Sequence, residues 1–330
     1  MTRERAEQLV QRCAGKRALV VGDLMLDEFL WGNVSRISPE APVPVVEVTR
    51  ESSVPGGAAN VARNLREFTS NVAVFGQVGR DAAGETLLRL LGGAGISTNS
   101  VLVHETCPTA VKTRIIARHQ QVVRYDREKR FQATAAEGRA ILSALSDAVR
   151  DVDAVVVADY NKGFVAPDLA AALGRLAVEK QALVAIDPHP GNPLGWHGPT
   201  VVKPNYAEAC AFLGLSWESV EAVAGNERLE DMGGALLRKW NAGMVLLTLG
   251  EHGMLLFRPG RTPFHVPARA REVFDVSGAG DTAIALLALA LAAGATAEEA
   301  AELSNHASGV VVGKLGTATV TPEELLESFR

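Results

Sequence analysis

Residues 275–293 read DVSGAGDTAIALLALALAA. From Ala283 to Ala293 the stretch carries no polar side chain. That run is about half the length of a membrane-crossing helix, so it reads as a helix buried on most faces. Such a helix needs a large core around it. The chain has the material: 330 residues, 47% hydrophobic and 22% charged, the composition of an ordinary globular enzyme.

Working outward, short β-branched runs alternate with helical patterns. RALVVGD (17–23), NVAVFGQVG (71–79), DAVVVAD (153–159), ALVAIDP (182–188), TVVKPN (200–205) and GMVLLTLG (243–250) read as buried parallel strands. Helical patterns lie between them, over 57–67, 81–94, 134–150, 167–180 and 229–241. This βαβ rhythm predicts an α/β fold: an open, doubly wound, mainly parallel sheet with helices on both faces. Ligands of such sheets bind at the carboxyl ends of the strands, where Asp23, Asp159, Asp187, Asn205 and Gly250 stand. Two segments break the rhythm. PVPVVEVTR (42–50) alternates and carries Pro42 and Pro44, marks of an edge strand, and TAVKTRIIARHQQVVRYD (109–126) reads as strand, turn, strand. No helical pattern is read after either, so a small separate sheet over the main one is expected, from about 38–50 and 107–126. With no repeat or low-complexity linker, residues 1–330 read as one domain.

Several functions are excluded. Net charge is −5 and no basic run occurs, which argues against nucleic acid. The start, MTRERAEQLVQRC, is charged and helical, without a signal-peptide core. Cys13, Cys107 and Cys210 lack metal-ligand spacing and read as reduced thiols of a cytoplasmic protein. The P-loop, GxGxxG, HExxH and CxxC patterns are absent.

The DVSGAGD stretch offers another phosphate site. A helix beginning near Ala279 leaves unpaired N–H groups and partial positive charge in its first turn. Gly278, Ala279 and Gly280 leave those groups uncovered, so a phosphoryl oxygen can approach. Asp281 then stands where it can take a proton from an attacking hydroxyl. The helix terminus is expected to lower its pKa and make it a weak base, which phosphoryl transfer tolerates. The plain alternative is a turn in which Ser277 caps the helix. In VPGGAANVARNL (54–65), Gly56 and Gly57 allow close backbone approach and Asn60 can bond hydroxyls; tight packing of a helix start is the alternative reading.

These residues resemble a known family. DVSGAGDTAIA and GGAANVARNL are similar to the two signatures of the PfkB, or ribokinase-like, carbohydrate kinases, in the same order, and the resemblance spans nearly the whole chain. It implies ATP and Mg²⁺, Asp281 as catalytic base, Gly278 to Gly280 as anion hole, and a β-sheet lid that often pairs two subunits into a homodimer. VVGDLMLDEFLWGNVSRISPEAPVPVVEV, ADYNKGF, KPNYAEA and GKLGTATVTPEEL resemble the bacterial D-glycero-β-D-manno-heptose-7-phosphate kinases within that family. Those enzymes phosphorylate O1 of heptose 7-phosphate, in ADP-heptose synthesis for the lipopolysaccharide core. Some relatives are fused to a nucleotidyltransferase; the chain ends soon after its last helix, so the kinase alone is expected. His189, in DPHP, departs from the Lys expected there.

By this resemblance Asp23, Gly57 and Asn60 hold the sugar; Asp27 either joins them, is solvated, or caps a turn. A phosphorylated substrate needs cations, for which Lys112, Arg114 and Arg124 on the lid and Lys162 beyond the 153–159 strand are candidates; a solvated lid face is the alternative. A three-residue hairpin loop would set Arg114 opposite Arg124, a repulsive pair unless an anion lies between them. Asn205 and Glu208 read as a capping box, and in the family this NxxE pattern organises water around Mg²⁺. Thr248, Gly250 and Ser277 border the nucleotide, with Asn305 near the adenine. Asp275 either helps bind a monovalent cation such as K⁺ or bonds local N–H groups. The expected activity is an ATP-dependent heptose 7-phosphate kinase. Other sugar or nucleoside kinases of the family, and a non-catalytic sugar or nucleotide sensor, are the rival readings.

Overall fold

The computed structural model describes residues 1–117, 120–196, 198–269 and 273–330, with Ala177 and Val178 by backbone alone. Helix α1 (Arg3–Cys13) leads into β1 (Arg17–Gly22), then β2 (Leu24–Ile37) and β3 (Pro44–Gly57). Next come α2 (Ala58–Arg66), β4 (Asn71–Gly79), α3 (Ala82–Gly93), β5 (Ser97–His104), β6 (Ala110–Ala117) and β7 (Gln120–Arg127). Then follow α4 (Ala135–Ala148), β8 (Ala154–Ala158), α5 (Pro167–Lys180), β9 (Leu183–Asp187), β10 (Val201–Val202), α6 (Tyr206–Leu213) and α7 (Glu227–Trp240). The chain closes with β11 (Met244–Thr248), β12 (Met254–Phe257), β13 (Phe264–Val266), α8 (Ala279–Ala292), α9 (Ala297–Val311) and α10 (Pro322–Glu327).

The main sheet has the order β13-β12-β11-β10-β9-β8-β1-β4-β5. From β11 to β5 every pairing is parallel; β12 and β13 add an antiparallel edge. Alternate residues of β1 serve opposite faces, as the strand period requires. Ala18 and Val20 pack with α1, α2, α3, α8, α9 and α10, while Leu19 and Val21 pack with α4, α5, α6 and α7. Burial on both faces explains why these strands read as continuous apolar runs. Helix α8 lies in the first of these layers, with everything from Asp281 to Ala290 buried. Its lack of an exposed stripe follows from helices and sheet on all sides. Among the described residues no helix is long and apolar enough to cross a membrane.

A second sheet, β3-β2-β6-β7, forms the lid. Its first strand departs from the sequence reading. Residues 24–37 continue from β1 after one residue, Asp23, and pair along their length with β3. The segment expected at 38–50 therefore begins with the turn joining β2 to β3. Nor does the lid lack a following helix: β3 runs through Gly57 straight into α2. Gly57, at φ +57°, makes that corner in a region open to glycine. The two lid halves join by the parallel pair β2–β6.

Candidate active site

A cleft of about 860 Å³ lies between the lid and the carboxyl ends of β8, β9 and β11, and the first turn of α8 opens into it. Gly278, at φ +83°, is the N-cap of α8 and gives no side-chain cap. The alternative in which Ser277 caps the helix does not hold; its N–H donates to Asp275 Oδ1 at 2.9 Å while the residue borders the cleft. Of the expected anion hole, Gly278 and Gly280 line the cleft, but the N–H of Ala279 is taken by the Val276 carbonyl at 3.2 Å. The N–H groups of Gly280 and Asp281 have no acceptor among the described residues. A Cβ on Gly280 would stand 3.4 Å from Lys203 Nζ, so an ammonium flanks the bare turn.

Asp281 is buried, and Asn60 Nδ2 donates to its Oδ2 at 2.8 Å. The Tyr160 hydroxyl donates to Oδ1. Burial pushes its pKa up to about 6; the Asn60 and Tyr160 hydrogen bonds and Lys203 oppose this, and Asp187 adds to it. The expectation of a lowered pKa is thus reversed, because loss of water outweighs the helix terminus. Asp187 and Lys203 pair at 3.0 Å beside the turn. Burial also raises Asp187, to about 6, against the pull of Lys203.

The sugar candidates are arranged differently from the reading. Asp23 is buried and accepts backbone N–H groups from Tyr160, Lys162 and Phe164 at 2.9, 3.0 and 3.1 Å. It anchors the loop after β8 and does not line the cleft; Asp27 and Gly57 do. Asn60 is fully buried and serves Asp281, and its Oδ1 receives Arg63 Nη1 at 3.5 Å. Gly56 lies against Asp27, where a Cβ would meet Oδ2 at 2.3 Å.

Lys112, Arg114 and Arg124 all line the cleft. Arg114 does stand opposite Arg124, although Ala117 pairs with Gln120 and a register shift follows Ile115; the loop residues 118–119 lie outside the described residues. The repulsion is relieved within the lid: Arg114 pairs with Asp27 at 2.7 Å and Arg124 with Asp126 at 2.9 Å. Lys112 pairs with Asp126 at 3.1 Å. Lys162 pairs with Glu128 at 2.7 Å and is not part of the lining. His189 borders the cleft, with its pKa lowered by burial and by Lys162.

On the other side, Asn205 and Glu208 form the expected reciprocal cap of α6, with bonds of 2.9 and 2.8 Å. Both line the cleft with Thr248 and Gly250. Asn205 bridges to Thr248, which joins the NxxE turn to the end of β11. Asn305 is buried in α9 and donates to the Pro267 carbonyl at 2.7 Å, away from the lining. Asp275 hydrogen-bonds backbone N–H groups near and far: its Oδ1 accepts that of Ser277 at 2.9 Å and its Oδ2 that of Gly316 at 3.1 Å. Asp159 and Asp187, expected at the strand ends, line the cleft, as do Tyr160, Lys203 and Trp217, which were not singled out from the sequence. Tyr160 and Lys203 lie inside quoted stretches at strand ends, the one signal that pointed to them.

A buried carboxylate beside two free amides and an ammonium can deprotonate a hydroxyl next to a bound phosphoryl group. The model of the pfkB family carbohydrate kinases matches residues 16–324. The chain belongs to the pfkB family of carbohydrate kinases. These are ATP-dependent phosphotransferases that work with Mg²⁺. Among curated relatives, the bifunctional protein HldE of Geobacter sulfurreducens is 41% identical over 329 residues, 100% of this chain and 66% of that protein. HldE of Pelobacter propionicus is 40% identical over 328 residues, 99% of this chain and 66% of that one. The chain thus spans just under two thirds of the length of these relatives. Among solved structures, phosphofructokinase-2 from Escherichia coli, in complex with potassium, superposes with a TM-score of 0.74 at 19% identity, covering 95% of this chain and 98% of that one. Ribokinase from Arabidopsis thaliana, complexed with ribose and ATP, gives 0.69 at 19% identity, covering 96% and 99%. At that identity the likeness speaks for the fold, a ribokinase-like α/β sheet with a lid.

Proposed function

We propose that this pfkB kinase transfers the γ-phosphoryl group of ATP to O1 of D-glycero-β-D-manno-heptose 7-phosphate. The products are the 1,7-bisphosphate and ADP, a step toward ADP-heptose for the lipopolysaccharide core. One observation carries the reading: Asp281 and the bare turn of α8 share a single cleft with three lid cations, Lys112, Arg114 and Arg124. All three already pair with lid carboxylates, Arg114 with Asp27 and Lys112 and Arg124 with Asp126, and a remote phosphate would add a forked anionic partner that a free sugar does not bring. The 40–41% identity to the HldE proteins supports the same substrate class.

The chemistry follows from the residues. Asp281, ionised above about pH 6, accepts the O1 proton as O1 forms its bond to the γ-phosphorus. The bond from that phosphorus to the bridging oxygen breaks, and ADP leaves with the electron pair. The N–H groups of Gly280 and Asp281, with the Lys203 ammonium, stabilise charge on the phosphoryl oxygens. Mg²⁺ would neutralise phosphate charge near Asn205 and Glu208. Their donor set fits: Glu208 uses Oε2 in the cap, and Oε1 makes no hydrogen bond to the described residues. A hydrated Mg²⁺ requires few protein ligands, and no cluster of three or more His, Cys, Asp or Glu suited to a metal occurs among the described residues. A monovalent cation such as K⁺ would sit beside Asp275, whose carboxylate ties 275–277 to Gly316.

The lid also supports a homodimer. Ile37, Val48, Val123 and Tyr125 are exposed on it, and burial against a second copy would remove that apolar surface from water. A cytoplasmic location accords with the need for ATP. The direct test is ADP release with ribose, fructose 6-phosphate and heptose 7-phosphate, with Asp281→Asn as control. Turnover of free ribose without turnover of heptose 7-phosphate would end the assignment.

A further inference from the structure

We propose that Tyr160 is a positioning residue of this phosphoryl transfer: its phenol, presented by the turn that Asp23 anchors, holds the Asp281 carboxylate toward the acceptor hydroxyl. The proposal rests on the reading of Asp281 as the base.

The turn after β8 is built for this. Asp23 fixes it from below through the N–H groups of Tyr160, Lys162 and Phe164. Asp159 fixes it from the side, accepting the Asn161 N–H at 2.8 Å and Asn192 Nδ2 at 2.8 Å. Two buried carboxylates thus hold one short loop, and the side chain it delivers to the cleft is Tyr160. The ring packs against the core while the hydroxyl reaches Asp281. Asn60 holds the other carboxylate oxygen from α2. With one donor on each oxygen the carboxylate cannot rotate freely, and each oxygen keeps a lone pair for an incoming proton.

The phenol also acts on charge. Burial and the neighbouring Asp281, Asp187 and Asp27 push the Tyr160 pKa well above its usual value, so it remains a donor throughout the working range. The groups facing Asp281 are Asn60 from α2, Tyr160 from the turn, Asp187 at the end of β9 and Lys203 after β10. Asp187 favours the protonated carboxyl, whereas Tyr160, Asn60 and Lys203 favour the carboxylate. Loss of the phenol therefore leaves a base that is harder to ionise. A hydrogen bond to a charged group corresponds to a shift of about one pH unit.

The test compares wild type, Tyr160→Phe and Asp281→Asn. Phe keeps the ring in place, and thermal melts report on folding. Two readouts are taken: kcat/KM for heptose 7-phosphate from pH 5.5 to 9, and a carbon-13 NMR titration of the Asp281 carboxyl, assigned by its loss in Asp281→Asn. With Tyr160→Phe the Asp281 midpoint, about 6 in the wild type, should rise by about one unit. The wild-type advantage should then shrink about fivefold between pH 6 and pH 8. A purely structural defect would lower activity equally at every pH. An unmoved carboxyl midpoint overturns the proposal, as does a wild-type advantage independent of pH. If Asp281→Asn retains turnover, the base reading itself fails, while the NMR midpoint still judges the contact.

Discussion

Replacing Gly280 with alanine should separate activity from stability. Gly280 lies in the first turn of α8 with ordinary helical φ, so alanine is not strained there. The added Cβ would lie 3.4 Å from Lys203 Nζ and 3.9 Å from Asp187 Oδ2, with nothing closer. Ala is favoured over Gly in a helix by roughly 0.5–1 kcal/mol, and by less near an end. The melting temperature should therefore hold or rise by about 1–2 °C. The same methyl occupies the hollow above the free N–H groups of Gly280 and Asp281. A phosphoryl oxygen must come within about 3 Å of those donors, and loss of one such donor lowers kcat by about 10²–10³-fold. ADP release and a thermal melt on one preparation would measure both quantities. Gly278→Ala supplies the contrast: at φ +83°, with its Cβ 2.9 Å from Asn60 Nδ2, it should lower melting temperature and activity together. Wild-type turnover in Gly280→Ala would mean that phosphate does not bind at this turn, and the mechanism would fall with it.

Asp281→Asn should show a pH-dependent stability difference. The folded pKa, about 6, lies above the ordinary 3.8, so Asp281 stabilises the fold below pH 3.8 and that contribution is lost as pH rises through 6. The stability of the Asn variant relative to wild type should therefore grow by about 2 kcal/mol between pH 4 and pH 7, read from urea unfolding; a flat difference would argue against a buried ionising carboxyl. Glu208→Gln keeps a residue able to close the capping box, so the melt should hardly move while the Mg²⁺ needed for half-maximal rate rises severalfold; an unchanged Mg²⁺ requirement would leave the residue as a cap alone. Arg114→Lys preserves charge next to Asp27 but removes the forked donor. It should raise KM for the sugar phosphate about tenfold and leave KM for ATP within about twofold; equal KM values for the sugar phosphate would remove the lid from its recognition.

What could be read from the sequence followed the range of the forces involved. The apolar runs of β1, β4, β8, β9 and β11 and the helices between them are local patterns, and their expected bounds agree with the structure to within a few residues. Strand β2 was missed because LMLDEFLWG continues the apolar character of β1 past Asp23, and no local signal marks the chain's departure into a second sheet. The site divides the same way. Gly278, Gly280 and Asp281 are neighbours in the chain, so their joint chemistry was visible. Tyr160 and Asp281 are 121 residues apart, and Asp23 meets the loop it anchors across 137 to 141 residues. Nothing in either segment alone announces the meeting.

The pKa of Asp281 shows why local reasoning can even give the wrong sign. A helix N-terminus favours a nearby carboxylate by about 0.3–1 kcal/mol, less than one pH unit. Full burial disfavours it by up to 3–5 units, and the burial here is supplied by α2, β8 and β9, none of which is adjacent in sequence. The net rise to about 6 is what remains after Asn60, Tyr160 and Lys203 have opposed the loss of water. That balance suits the chemistry. A base with an ordinary carboxylate pKa accepts a proton poorly, and one left to burial alone would already be protonated at neutral pH. The side chains that hold Asp281 in place are therefore the same ones that keep it usable.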